Sequence, residues 1–114
     1  MSIRSTIVLA VEREVGNQLL VDAKDKLKDH DHDLNLIRES LDDDGGEYLV
    51  LCIKHVKKGL EYPYFEFLES FVQKLENEGI EYDYIIQNHT GNGNEIDVRN
   101  NDLNILEIET RITW

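Results

Sequence analysis

Two runs of this chain, "STIVLAVE" (5–12) and "EYLVLCIKHV" (47–56), are apolar at successive as well as alternate positions. A strand with one wet face alternates apolar and polar side chains. A strand that is apolar on both sides has to be covered on both sides, so it belongs in the interior of a sheet. These two runs set the centre of the fold, and the other segments have to be arranged around them.

Residues 15–28 place Val15, Leu19, Leu20, Ala23 and Leu27 at helical spacing, with Asp22, Lys24, Asp25, Lys26 and Lys28 on the other side. The lysines suit the C-terminal half of a helix, where the backbone dipole is negative. "LNLIRESL" (34–41) alternates loosely and predicts a half-exposed strand, although Asn35, Arg38 and Glu39 would also suit a continuing helix. "DDDGG" (42–46) is a turn signal. Residues 63–78 predict a second helix, with Phe65, Leu68, Phe71, Val72 and Leu75 buried, Pro63 at its start and Gly79 as its C-cap.

"IEYDYIIQ" (80–87) alternates, with Ile80, Tyr82, Tyr84 and Ile86 on one face and Glu81 and Asp83 on the other. Ile96 and Val98 start a further strand or a bulge. The run 103–114 puts Leu106, Ile108, Ile112 and Trp114 opposite Glu107, Glu109 and Arg111. The order strand, helix, strand, strand, helix, strand predicts one α+β domain over residues 1–114. Its expected architecture is ferredoxin-like, βαββαβ with an added C-terminal strand or hairpin, an antiparallel sheet carrying two helices on one face. Right-handed crossovers would put the 5–12 and 47–56 strands in the middle, where their two-sided apolarity requires them.

Charge narrows the partners. Twenty-four Asp and Glu stand against twelve Lys and Arg, a net charge of −12 at pH 7. Such a surface repels nucleic acid and anionic membranes and attracts basic proteins. Exposed aromatics interleaved with Arg and Lys, which an RNA-binding sheet needs, are missing; Tyr82 and Tyr84 alternate with Glu81 and Asp83. No stretch approaches the roughly 20 apolar residues of a bilayer span, and the N-terminal apolar run is too short for a secretory signal. The single cysteine, Cys52, lies in an apolar strand and fits a reducing, cytoplasmic setting.

Four motifs invite chemical readings. "DHDHD" (29–33) holds five possible metal ligands, but on a strand its aspartates and histidines would point to opposite faces, and His55 and His89 are isolated. A metal needs several ligands converging on one point, so a polar connection is the expected role. "LDDDGGEY" lacks the alternation and spacing of a calcium loop. "GNGNE" (91–95) suits a hairpin tip better than a phosphate cradle. "GLEYPYFEFLESF" (59–71) is crowded: Tyr62, Tyr64, Phe65, Phe67 and Phe71 should not all face inward from one helix start. A tyrosine there, flanked by Glu61 and Glu66, would make an aromatic anchor inside an acidic rim.

No nucleophile, catalytic carboxylate pair or cofactor motif emerges, so the expectation is a protein that is not an enzyme and needs no cofactor or metal. The profile is similar in kind to small acidic inhibitors, namely immunity proteins that neutralise basic nuclease toxins and phage anti-defence proteins. That likeness rests on size, charge and the lack of catalytic motifs, and on no aligned sequence. It implies a basic, nucleic-acid-binding protein as partner. The residues expected to meet it are Asp42, Asp43, Asp44 and Glu47, then Glu61, Tyr62 and Glu66. The alternative is a dimeric ferredoxin-like module that binds a small molecule, with a second copy covering the free sheet face.

Overall fold

In the computed structural model the described residues are 4–42, 46–57, 59, 61–90 and 93–103. Among them the chain forms β1 (Arg4–Glu12), α1 (Arg13–Lys26), α2 (Asp31–Ser40), β2 (Leu41–Asp42), β3 (Tyr48–Val56), α3 (Pro63–Glu78), β4 (Asp83–Thr90) and β5 (Gly93–Asn101). The strands make one antiparallel sheet in the order β2-β3-β1-β4-β5. The two strands that are apolar on both sides, β1 and β3, are therefore interior. The arrangement is α+β, and it is consistent with a ferredoxin-like fold. The final apolar run, from residue 104 onward, lies outside the described residues, and β5 is built from Gly93–Asn101 instead.

Each side of β1 has its own cluster. Ile7, Leu9 and Val11 join Leu19, Ala23, Ile37, Leu68 and Leu75 from the helices, with Tyr84 and Ile86 from β4. Val8 and Ala10 face the other way with Ile85, backed by half-buried Val50, Cys52 and Ile96. Every member of this second cluster is a strand residue. Asp83 belongs to this side too, because it pairs with Ala10. Alternation sets it with Glu81 on the face opposite the tyrosines, and it is fully buried there. Its carboxylate accepts a 2.7 Å hydrogen bond from the Leu103 amide, which gives the charge a partner.

The main correction concerns 34–41. That segment is a helix, not a strand: α2 runs from Asp31 to Ser40, and only Leu41 and Asp42 pair with β3. Leu34, Ile37 and Leu41 recur at helical spacing, and Ile37 is fully buried. Asp31 and Asp33 sit in the first turn and Arg38 in the last, each favourable for the helix dipole. Three helices therefore stand where two were expected. α2 packs against α1, α3 and β3, so α3 has neighbours beyond the sheet. That is why Tyr64, Phe65, Phe67 and Phe71 are all buried and only Tyr62 is half-buried. The five rings do not all turn inward, as expected, but α2 gives α3 a further neighbour and four of them do.

The ends of α3 follow the sequence reading. Pro63 opens the helix. Gly79 closes it at φ 68°, a left-handed conformation that favours glycine. The Gly79 and Ile80 amides then donate to Glu76 and Leu75 carbonyls at 3.2 and 3.0 Å.

Candidate functional site

The "DHDHD" stretch does its work at the junction of the helices. Tyr62, the residue before α3, gives no side-chain cap to the helix. The Tyr64 amide in the first turn donates instead to the Asp33 carboxylate of α2, at 2.9 Å. First-turn amides have no partner inside their own helix, and a carboxylate there also meets the positive end of the dipole. Burial pushes the Tyr64 hydroxyl up to about 12, with the charges of Tyr62 and Asp33 acting in the same sense. Its ring stacks on Tyr62 with centroids 6.0 Å apart. Among the described residues no group of three His, Cys, Asp or Glu is gathered as a metal site.

Beside this junction α1 and α3 run antiparallel and leave a cleft of about 380 Å³ between them. Its apolar part is Leu27, Pro63, Phe67 and Phe71, the two phenyl rings lying 6.1 Å apart. The polar part comes in two stripes of four-residue spacing, Asp22, Lys26 and His30 from α1 and the turn after it, and Glu66, Ser70 and Lys74 from α3. Residues four apart lie on one helix face. Lys74 meets Asp22 across the cleft at 3.5 Å, so the antiparallel register sets Lys26 level with Ser70, and His30 lines the cleft from the turn after the helix. Glu61 adds a carboxylate at the mouth. Counted over the lining, three carboxylates face two lysines and one histidine. The cleft is thus close to charge balance on a chain of net charge −12.

The outer face of α3 is different. Glu66, Glu69 and Glu78 border a shallow depression in which Lys74 is the one cation. Glu69 lies 3.8 Å from Arg99 of β5, which is held at 2.7 Å by Asp97. Glu76 accepts from the Tyr82 hydroxyl at 3.1 Å, and burial together with that bond pushes Tyr82 up to about 12. Among the described residues, the Glu61 and Glu66 carboxylates have no ion pair or hydrogen bond of this kind.

The expected site residues divide between two places. Glu61 and Glu66 are exposed and line the cleft, whereas Tyr62 is half-buried against Tyr64 and does not line it. Asp42 and Glu47 are exposed near the start of α1. There the Arg13 guanidinium donates to the Gly46 carbonyl at 2.8 and 2.6 Å, and the Arg13 amide donates to the Glu47 carbonyl. The thirteen steps from Arg13 to Lys26 put the cleft roughly 20 Å further along α1. Asp43 and Asp44 lie outside the described residues. The sequence reading missed Asp22, Lys26, His30 and Lys74 as cleft residues. The signal available was the pair of four-residue stripes, each bordering an apolar row.

Among the described residues no helix is long and apolar enough to cross a membrane. No family model, curated protein or solved structure matches the chain.

Proposed function

We propose that this chain is a ferredoxin-like binding domain, cytoplasmic and without enzymatic activity, that inhibits a basic, nucleic-acid-binding protein by occupying its positively charged groove. One observation carries the reading. Glu61 and Glu66 stand uncommitted at the edge of a concave, partly apolar surface, continuous with the acidic outer face of α3. Carboxylates in such a place replace phosphates in the partner's groove and speed association by long-range attraction. Half-buried Pro63, over the largely buried Phe67 and Phe71, adds a small apolar component that salt does not screen.

Asp42 and Glu47 supply long-range attraction from the other end of α1, and the charges of Asp43 and Asp44 add to it. The test is capture from native lysate at low salt with wild type, Glu61→Gln/Glu66→Gln and Asp42→Asn/Glu47→Gln. The expected result is a stoichiometric basic protein, sharply reduced by the first pair and modestly by the second. Capture that ignores both pairs and also ignores salt would overturn the proposal.

A second reading, a regulatory module for a small molecule, is favoured by the cleft itself. Its volume of about 380 Å³ falls in the range of small-molecule sites, roughly 300–1,000 Å³. It is formed within one chain, so this reading needs no dimer at the cleft.

A further inference from the structure

The geometry points to a ligand for the cleft: a small zwitterion whose charges are separated by an apolar body, the chemistry of an unblocked dipeptide with apolar side chains. The inference rests on the second reading, that the cleft takes a small molecule, and it uses the Glu61 and Glu66 that the first reading gives to a basic protein.

Charge balance is the first argument. A site for a basic side chain would extend the acidity of the surface, yet this cleft sets Lys26 and Lys74 among Asp22, Glu61 and Glu66. A ligand of either single sign would meet repulsion from part of the lining. A ligand carrying both signs meets an opposite charge at each end.

The distribution along the cleft is the second. Glu66 stands in the first turn of α3 and Glu61 in the turn before it, while Lys26 belongs to the last turn of α1 on the facing wall. Lys26 is level with Ser70, four residues and so about 6 Å along α3 from Glu66, so the two signs are offset along the cleft. The ammonium and carboxylate of a single α-amino acid are carried on one carbon and cannot span that offset. Two linked residues can, with the ammonium toward Glu61 and Glu66 and the carboxylate toward Lys26.

The apolar lining is the third. Half-buried Pro63 and the largely buried Leu27, Phe67 and Phe71 line the cleft beside the charged groups, a floor that offers the ligand's side chains a narrow strip of hydrocarbon. Lys74 is already engaged with Asp22. Lys26 is the cation left for a carboxylate.

The test uses the full chain and the dipeptide Phe-Leu, followed by ¹H–¹⁵N correlation spectra, beside the N-acetylated and C-amidated forms of the same dipeptide. The expected result is saturable shifts at Leu27, Phe67 and Phe71 with the unblocked dipeptide. Each blocked form should bind about tenfold more weakly, the loss expected for one charge contact. Glu66→Gln should weaken the unblocked form and leave the N-acetylated form unchanged. That readout separates a lost ammonium contact from a misfolded variant.

If the C-amidated dipeptide binds as tightly as the unblocked one, the cleft is reading positive charge alone. The zwitterion inference then falls while a ligand site remains. If none of the three perturbs the cleft at millimolar concentration, both the inference and the small-molecule reading fall. Capture of a basic protein from lysate is a separate measurement, and neither outcome decides it.

Discussion

The two acidic regions singled out by composition sit at opposite ends of α1 and hold their charge in different ways. At the start of α1, Asp42 and Glu47 stand exposed on a sheet edge and a turn, and the local structure is held by backbone carbonyls accepting from Arg13. At the end of α1, Glu61 and Glu66 border a concavity with aromatic lining and lysines of its own. The first region can attract at a distance, but it offers a partner little to pack against. The second combines charge with burial. A count of carboxylates gives the two regions similar weight, whereas their value to a ligand depends on the concavity beside them.

The sharpest way to break the comparison is to remove what gives the cleft end its shape. Ile37 is fully buried where α2 meets the core. Ile37→Ala should cost about 2–5 kcal/mol in a urea titration, the range for a large-to-small change in a packed interior. A loss below 1 kcal/mol would mean that α2 is not packed as described. Asp33→Ala comes next. It strips the acceptor from the Tyr64 amide and should cost about 1–2 kcal/mol, as loss of a helix cap does. Amide exchange should quicken in the first turn of α3 before it does at the turn near Glu47.

Arg13→Ala sharpens the comparison from the other end. It removes the bonds to Gly46 and should cost about 1 kcal/mol, with faster exchange confined to residues 46–48. Cleft ligands should bind the variant as they bind wild type.

The smallest effect is alkaline. Tyr64 and Tyr82 are both raised from 10.0 to about 12 in the folded chain. Their neutral forms therefore stabilise the fold fully below pH 10. As pH rises from 10 through 12 the unfolded chain releases protons that the folded chain retains, and stability falls. Phenol absorbance should show these two tyrosines titrating above 10, and Tyr82→Phe should flatten the decline.

What was legible in the sequence, and what was not, follows the same division between local pattern and packing. β1, β3 and α3 were readable because each satisfies one period strongly, and α3 carries its own boundaries in Pro63 and Gly79. α2 was not readable. Leu34 and Leu36 fit a strand, Leu34, Ile37 and Leu41 fit a helix, and ten residues are too few for pattern alone to choose. Contact with α1, α3 and β3 made the choice.

For Asp83 the alternation was right, and alternation alone does not say whether a face is wet. The residue does face away from Tyr82 and Tyr84, but that face is closed rather than wet. A third of the charged cleft residues, Glu61 and Glu66, was found because they are exposed acids flanking aromatics. The rest was not, since Asp22, Lys26 and Lys74 look like ordinary solvated helix faces until the two helices are laid side by side.

The measurement that bears most directly on the central claim is the salt dependence of association with the captured basic protein. It should be made for wild type, Glu61→Gln/Glu66→Gln and Asp42→Asn/Glu47→Gln. The account predicts that the cleft-side pair raises the dissociation rate and weakens affinity at every ionic strength. The turn pair should lower only the association rate, and only at low salt. Equal losses from the two pairs, vanishing together at high salt, would contradict it. They would show that the acidic surface acts as a diffuse field, with no site at the end of α1.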